Sequence, residues 1–343
     1  MLTRRNAVTT DVVLNLTLRC PLRCSHCCYR SGPKASGVMS TRLMSRTIRS
    51  AASLGSVRTV HFSGGEPFLV PDLLISGVRL ATRLGLRSAA VTSAYFAGTP
   101  GRAKTAIAPV AAAGLRELSV SYDDIHAAFV SPEHVVNAID CATRFGLDVF
   151  VSVTVEPGSR IDAAHVRRLL GLAESDESVR VLEVGLNTTG RAADLADEAG
   201  RTARASGTAA YRGPCRSVLC TIQVTADGRV LPCCGVLPHS ERMQIGSMHT
   251  SKGLLEAVQS ARQDPLWRRI AAEGPVTLLA EATAGTDHAI APNRLDGLCA
   301  ACDRIFNDSP TIERVRRMAS SYIDTPRNTR AMASGFSRRT RET

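Results

Sequence analysis

The sequence predicts an α/β protein: a partial (β/α)6 barrel of the TIM type, followed by a small C-terminal α+β extension that carries a second set of cysteines. Three observations lead to this prediction. Short apolar runs alternate with amphipathic stretches between residues 11 and 186. Polar or glycine-rich segments follow several of these runs directly, and a separate cysteine-bearing part begins near residue 213. Alternating strands and helices of this kind are typical of a parallel sheet with helices outside.

Six runs have the length and composition of strands. They are rich in valine and largely apolar, as expected of parallel strands that are buried on both faces. The predicted strands are Val12–Leu18, Thr59–Ser63, Ser88–Thr92, Glu117–Ser121, Asp148–Val155 and Val181–Leu186. In a parallel barrel the chemistry lies at the carboxyl ends of the strands.

The stretches between these strands have the periodicity of helices with one apolar face. The fourth stretch places on one face Val135, Val136, Ile139 and Ala142. The fifth stretch places on one face Val166, Leu169, Leu170 and Ala173. The predicted N-caps are Ser40, Asp72 and Asp162.

Three cysteines follow the first strand at the spacing C-x3-C-x2-C, namely Cys20, Cys24 and Cys27. A structural zinc site needs four protein ligands, so three thiolates leave one metal position open. A zinc knuckle or a set of reduced surface cysteines would leave a second motif unexplained. This motif is Ser63-Gly-Gly-Glu-Pro67, at the end of the second strand.

The two motifs, in this order and on consecutive strand ends, resemble the radical S-adenosylmethionine (radical SAM) superfamily. The resemblance implies a 4Fe–4S cluster on the three cysteines, with one iron free to bind the amino and carboxylate groups of SAM. It also implies that the glycine-rich segment binds the methionine amine through Gly64, Gly65, Glu66 and Pro67. The family usually has an aromatic residue where this chain has His26. We expect His26 to shield the cluster, and Tyr29 to take the packing role.

The resemblance also implies SAM contacts at the ends of the later strands. The expected residues are Ser121, Asp123, Thr154 and Asn187. The turn Gly190-Arg-Ala192 resembles one that lies near the adenine in relatives. His126 either reaches the substrate or is structural, and the structural role is the more common one for a lone loop histidine.

A second set of cysteines surrounds a predicted hairpin with an Asp227-Gly228 turn. The best candidates for metal ligands in this set are Cys215, Cys233, Cys299 and Cys302. Four such thiolates hold either zinc or a 4Fe–4S cluster, and spacing does not separate the two. The segment resembles the Twitch and SPASM extensions of radical SAM enzymes. Since no cysteine follows Cys302, the resemblance implies one auxiliary 4Fe–4S cluster.

Four further cysteines remain. Cys220 and Cys234 are either alternative ligands in place of Cys215 and Cys233, or donors of a hydrogen atom to a substrate radical. Cys28 and Cys141 are expected to be structural, because buried free cysteine is common.

The domain organisation follows from these segments. We expect the barrel over residues 1–190, a linker or lid over 191–212, the auxiliary domain over 213–305, and a short helix with a basic tail over 306–343. The helix would carry Ile312, Val315, Met318 and Tyr322. The tail from residue 324 is predicted to be disordered.

The 343-residue chain has a formal net charge of +11, with 39 arginines and only three lysines. A GC-rich genome explains this arginine-rich positive charge, and so does attraction to an acidic partner. Such a partner would be a flavodoxin- or ferredoxin-type reductant, a phosphorylated substrate or an acidic leader peptide. No motif favours nucleic-acid binding, a membrane span or a signal peptide. We therefore expect a cytoplasmic protein with reduced thiolates rather than disulfides.

The resemblance implies reductive cleavage of SAM to a 5′-deoxyadenosyl radical, which abstracts a hydrogen atom from the substrate. An auxiliary cluster would accept a second electron. This favours a net two-electron oxidation: dehydrogenation, or cross-link or thioether formation in a peptide, within natural-product or peptide maturation. The alternative is a redox-neutral epimerase with a cysteine hydrogen donor.

The substrate is either a small molecule or a peptide. The first strand begins near residue 12, so we expect a peptide substrate to rely on a separate leader-binding protein, or on none. A non-enzymatic iron–sulfur scaffold is disfavoured, because it gives no role to the Gly-Gly-Glu-Pro motif.

Overall fold

Nine strands form one sheet in the computed structural model of the chain, which describes residues 8–198, 213–235, 241–250, 253–286, 289 and 297–321. The strands are β1 Asp11–Thr17, β2 Thr59–Gly64, β3 Arg87–Thr92, β4 Glu117–Ser121, β5 Asp148–Val155, β6 Val179–Gly185, β7 Thr221–Val224, β8 Arg229–Leu231 and β9 Gly246–Ser247. Their order in the sheet is β6-β5-β4-β3-β2-β1-β7-β8-β9. The first six are parallel to their neighbours.

Helices connect the parallel strands and complete the extension. They are α1 Thr41–Ser53, α2 Pro71–Arg83, α3 Pro100–Ala112, α4 Pro132–Arg144, α5 Ala163–Leu169, α6 Arg191–Glu198, α7 Gly253–Gln263, α8 Pro265–Glu273, α9 Pro275–Thr283, α10 Leu298–Asn307 and α11 Ser309–Ser320. Since β1 and β6 are not neighbours, the barrel is open. The predicted partial (β/α)6 barrel is therefore confirmed, and each of its six strands lies within two residues of its predicted position.

Strand β1 is buried on both faces as predicted, but β4, β5 and β6 are not, which corrects the sequence prediction for these three strands. One face packs against the helices and supplies the core, as Leu118, Val120 and Val151 do. The opposite, inner face carries residues such as Ser119, Ser121 and Thr154, which are only partly buried. Successive side chains of a strand point to opposite faces, so an open barrel leaves its inner face accessible beside the carboxyl ends of the strands.

The C-terminal extension continues the same sheet. Strand β7 pairs in parallel with β1, from Asp11 opposite Thr221 to Leu14 opposite Val224. A buried hydrogen bond of 2.5 Å joins the Gln223 Nε2 donor to Asn15 Oδ1. The predicted hairpin is present as the antiparallel pair β7–β8. Its turn contains Gly228, whose φ of +85° favours glycine.

Two of the three predicted N-caps are confirmed. Ser40 accepts from the Leu43 N–H and Asp162 from the His165 N–H. The prediction for Asp72 is wrong, since Asp72 lies in the first turn of α2 and Val70 is the N-cap residue. The cause is Pro71, whose fixed φ suits the first helical position and starts the helix earlier.

The other predicted segments lie partly outside the described residues. Helix α6 occupies the beginning of the predicted linker, and residues 199–212 lie outside. Helix α11 buries Ile312 and Val315 as predicted, while the predicted disordered tail lies outside. Ala173 is exposed, because α5 ends at Leu169. Within the described parts of the chain, no helix is both long and apolar enough to cross a membrane.

Candidate functional site

The glycine-rich segment lies against the chain that leads from β1 to the first cysteine. The Gly65 N–H donates to the Thr17 carbonyl over 2.6 Å, and the Glu66 N–H donates to the Arg19 carbonyl over 2.8 Å. A Cβ atom on Gly65 would lie 2.0 Å from the Arg19 carbonyl oxygen. Only glycine therefore allows the two motifs to approach this closely.

The three cysteines of the first motif sit in a loop at the carboxyl end of β1. Cys20 and Cys24 are buried in a small apolar cluster with Leu22 and Val130, and Cys27 packs against it. Burial raises the pKa of Cys20 and of Cys24 to about 12. A metal ligand has to be the thiolate, so filling this site must release protons from these buried thiols.

The turn after β6 holds this cysteine loop in place. Gly190 has a φ of +62°, and a Cβ atom there would lie 2.5 Å from the Cys28 carbonyl oxygen and 2.6 Å from that of Cys27. The Arg191 N–H donates to the Cys27 carbonyl over 3.1 Å. The Arg191 guanidinium donates to the carbonyls of Cys24 and Ser31. The Gly-Arg-Ala turn, expected near the adenine, thus contacts the cysteine loop directly.

Glu66 is a buried carboxylate with donors on several sides, and only 1% of its surface is exposed. It accepts hydrogen bonds from the Thr92 hydroxyl, from the Ser93 N–H and hydroxyl, and from the Phe68 N–H. Burial raises the pKa of Glu66, although the Ser93 and Phe68 donors oppose this effect. Sequence analysis did not find Thr92 and Ser93, whose only signal was their position at the end of the third strand.

The other predicted SAM contacts lie in different environments. Ser121 ends β4 and Thr154 lies in β5, and both are partly buried on the inner face. Asn187 instead donates through Nδ2 to the Gly235 carbonyl over 2.9 Å. Its side chain also lies within hydrogen-bonding reach of the Cys299 thiol. Asn187 is therefore placed beside the second cysteine set.

Asp123, in the loop after β4, lies between two histidines. His26 Nε2 is 3.5 Å from Asp123 Oδ2, and His126 Nδ1 is 2.9 Å from Oδ1. Burial, together with the nearby His126, lowers the pKa of His26 to about 4. Burial by itself would raise the pKa of Asp123, but hydrogen bonding and charge from His126 hold it well below its usual range. Sequence analysis predicted neither the group nor a link from His126 to His26.

The four predicted auxiliary ligands come together. Burial raises the pKa values of Cys233, Cys299 and Cys302, and the proximity of Cys215 raises each of them further. Cys233 and Cys302 are buried. Cysteines on either side of the hairpin and in α10 therefore lie near one another, and their role as ligands stays a prediction.

Cys220 and Cys234 both lie near Cys215 and Asp11, each of which adds to the rise that burial causes in the pKa values of the two thiols. Cys234 lies close enough to Cys28 and Tyr29 to raise the pKa of both, although burial is the larger cause. Cys220 lies at the amino end of the sheet, where its carbonyl accepts from the Thr10 and Asp11 N–H groups. Cys141 is buried in α4. Cys28 thus lies between the two cysteine sets, and its position beside Cys27 was the only sequence signal for this.

Among the described residues, the group whose three ligand atoms lie within 4.8 Å of one another is His26, Asp123 and His126.

A thiolate loop and a glycine-rich cradle at adjacent strand ends of an open parallel barrel define the class of iron–sulfur proteins that this chain resembles. Residues 14–127 match the family model described as the Radical SAM superfamily. Residues 14–127 thus carry a radical SAM domain, as the motifs predicted. This class implies a 4Fe–4S cluster and SAM.

Two curated proteins illustrate the similarity. "Putative peptide biosynthesis protein YydG" of Bacillus subtilis (strain 168) is 21% identical over 145 residues, which are 42% of this chain and 46% of that protein. A "PqqA peptide cyclase" of Rhodopseudomonas palustris is 38% identical over 112 residues, 32% of this chain and 28% of that protein. The chain thus spans less than half the length of these relatives.

A solved structure described as native anSMEcpe with bound AdoMet and Cp18Cys peptide covers 91% of this chain and 99% of its own. Its sequence identity is 13% and its TM-score 0.49. This likeness is too loose to transfer a substrate or a mechanism.

Proposed function

We propose that this protein is a radical SAM enzyme that cleaves SAM reductively and completes a net two-electron oxidation of a peptide. One observation carries the first half of this proposal. The Gly64–Pro67 segment is hydrogen-bonded to the carbonyls of Thr17 and Arg19, which lead directly into the Cys20–Cys27 loop at the carboxyl ends of β1 and β2. Chemistry in parallel barrels occurs at this edge.

The residues present fit the cofactors of this class. Three thiols in one loop supply the donor set that iron–sulfur clusters use, and the glycine cradle leaves no room for a Cβ atom. Bound there, the cluster would supply the electron that cleaves SAM to methionine and a 5′-deoxyadenosyl radical, the hydrogen-abstracting species. The protein's part is to orient SAM and to exclude water. The Gly65 and Glu66 N–H groups are engaged by the carbonyls of Thr17 and Arg19. A methionine ammonium, which can only donate hydrogen bonds, would meet carbonyl oxygens here.

We assign Cys215, Cys233, Cys299 and Cys302 to an auxiliary 4Fe–4S cluster. They lie near one another, and burial raises the pKa values of three of them. Such a cluster would supply a place for the second electron of an oxidation. This supports dehydrogenation, or cross-link or thioether formation, as the overall reaction.

A peptide substrate is supported by the names of both curated relatives and by the shape of the barrel. Strand β6 is the edge of the sheet, and its inner-face residues Leu182 and Val184 are 51% and 43% exposed. An exposed apolar edge strand suits an extended peptide better than it suits a small polar molecule.

We assign the electron supply to a flavodoxin- or ferredoxin-type partner, and delivery of the peptide to a separate leader-binding protein.

The test of this proposal is SAM cleavage by the anaerobically reconstituted protein with dithionite. Replacing Cys20, Cys24 and Cys27 together with Ala should abolish 5′-deoxyadenosine formation. Cys141→Ala, which removes a buried thiol of α4, should leave it intact. Continued cleavage in the triple variant would show that the radical assignment is wrong.

The second candidate function is redox-neutral epimerisation, for which the location of Cys234 is the supporting observation. Cys234 lies near Cys28, between the two cysteine sets, whereas Cys220 lies at the amino end of the sheet. A thiol donor would leave the product mass unchanged in H2O and raise it by one unit in D2O. Oxidation would instead remove two hydrogens. Mass spectrometry of the product made in D2O separates the two reactions, and Cys234→Ala should abolish only the epimerisation.

A further inference from the structure

His26, Asp123 and His126 form a compact buried group, here called the His–Asp–His group. It joins the loop of the three cysteines to the loop after β4. Asp123 is 1% exposed, and the side chains of His26 and His126 are 14% and 13% exposed. The two imidazole rings meet edge to face, with centroids 4.9 Å apart.

The contacts within this group are not those of an ordinary hydrogen-bonded network. Asp123 Oδ2 and His126 Nδ1 are buried and have no hydrogen-bond partner. Buried polar atoms are satisfied in the large majority of cases, so these two orphaned atoms need a physical cause. The His26 ring atom that approaches Asp123 is Nε2, at 3.5 Å. The 2.9 Å approach of His126 Nδ1 to Asp123 Oδ1 is close enough for a hydrogen bond but not aligned as one.

The separations match those of ligands that share one ion. Two ligand atoms at about 2.0–2.1 Å from a metal, at angles between 90° and 110°, are about 3.0–3.4 Å apart. The two observed N···O distances are 2.9 and 3.5 Å. All three ligand atoms lie within 4.8 Å of one another.

The chain contains an ordinary pair for comparison. His61 Nε2 lies 2.9 Å from Asp11 Oδ1 in an aligned hydrogen bond, and both side chains are more than a quarter exposed. This pair has the same residue types but neither the burial nor the third ligand. It therefore serves as an internal control for the His–Asp–His group.

We propose that His26, Asp123 and His126 bind one divalent transition-metal ion, separate from the iron of the cysteine sites. Imidazole nitrogen suits zinc, iron and related ions, and a carboxylate completes such sites. The Ile125 and His126 N–H groups donate to Asp123 Oδ1 over 3.0 and 2.9 Å, which orients the carboxylate as supporting contacts do in metal sites. Three protein ligands leave a position for water or for a heteroatom of the substrate.

This assignment replaces the expectation that Asp123 contacts the ribose of SAM. The ion would tie the residue before Cys27 to the end of β4, and so brace the loop of the three cysteines. The inference does not depend on the proposed function, because metal content can be measured without SAM or substrate.

The test uses the full-length protein with its clusters reconstituted, exposed to Zn²⁺ and then desalted. We expect about one additional zinc per chain, with only nitrogen and oxygen neighbours at about 2.0–2.1 Å in zinc-edge X-ray absorption. Asp123→Asn and His126→Ala should each lose this zinc. Asp11→Asn, which alters the comparison pair, should retain it.

Two results would overturn the inference. One is a wild-type protein whose zinc has only sulfur neighbours at about 2.3 Å, as cysteine-bound zinc would, or that takes up no zinc. The other is zinc with nitrogen and oxygen neighbours that persists in both variants. Circular dichroism and iron content identify a variant that fails to fold. In that case the zinc-edge X-ray absorption spectrum of the wild-type protein alone shows whether zinc has nitrogen and oxygen neighbours.

Discussion

At the scale of single residues, Gly190 connects the turn after β6 to the cysteine loop. Its conformation is left-handed, and the carbonyl oxygens of Cys27 and Cys28 occupy the space where a Cβ atom would project. Any side chain at this position must therefore displace the backbone next to a predicted iron ligand.

Gly190→Ala should reduce the iron and sulfide content of the reconstituted protein at the first cysteine site. Gly171→Ala is a matched control, because Gly171 has a similar φ of +66° with no atom within 4 Å of a Cβ position. Both variants bear the conformational cost of about 1–2 kcal/mol. Only Gly190→Ala also creates the clash, so equal iron contents in the two variants would contradict this account.

Glu66→Ala should weaken SAM binding and also lower the free energy of unfolding. Removing the carboxylate leaves the buried Thr92 and Ser93 donors without an acceptor, which costs about 1–3 kcal/mol for each unsatisfied group. Chemical denaturation and calorimetric SAM titration measure the two effects, with iron content as a check on the clusters. Glu174→Ala, at an exposed carboxylate, should change stability by no more than about 0.5 kcal/mol.

The site residues differ in how far the sequence predicts them. Cys20, Cys24 and Cys27 lie within eight positions of one another, so local spacing alone identifies them as a candidate set. Arg191 contacts the Cys24 carbonyl across 167 positions. Such a contact depends on how the open barrel brings distant loops together, which periodicity does not specify.

At the scale of secondary-structure elements, the pairing of β7 with β1 makes the extension part of the barrel sheet. Four consecutive residue pairs join the two strands, and the buried Gln223–Asn15 hydrogen bond lies beside them. Without β7, the edge of β1 would present unpaired backbone groups and the apolar side chains of Val12 and Leu14.

A chain that ends after residue 212 should therefore aggregate, because an exposed, flat, apolar strand edge is a template for pairing between molecules. Size-exclusion chromatography of the purified protein measures this. A chain that ends after Ser321 keeps all of the described elements and should elute as the full-length protein does. A monodisperse short chain would show that the barrel does not depend on β7.

Element bounds were predicted well where strands alternate with helices of strong periodicity, as for β4 and β5. The burial of the strands was predicted less well. An apolar, valine-rich composition suggested two buried faces, but the open barrel leaves the inner faces of β4, β5 and β6 only partly covered. Whether a parallel sheet closes, opens or lies between two helix layers is a property of the tertiary structure rather than of any single strand.

At the scale of the whole molecule, the two cysteine sets should each bind one cubane. The reconstituted protein should contain about eight iron and eight sulfide, and about four of each when Cys20, Cys24 and Cys27 are replaced by Ala. Replacing Cys215, Cys233, Cys299 and Cys302 should also leave about four. Stoichiometric zinc without sulfide in the wild-type protein would contradict both cluster assignments.

The segment of residues 187–191 also matters for anyone who would redesign this protein. Within five positions it contacts Gly235 and Cys299 through Asn187, and the first cysteine loop through Gly190 and Arg191. An engineer seeking a new substrate range should keep this segment unchanged and build libraries on Leu182 and Val184. Those two side chains line the open edge of the barrel without supporting either cysteine set.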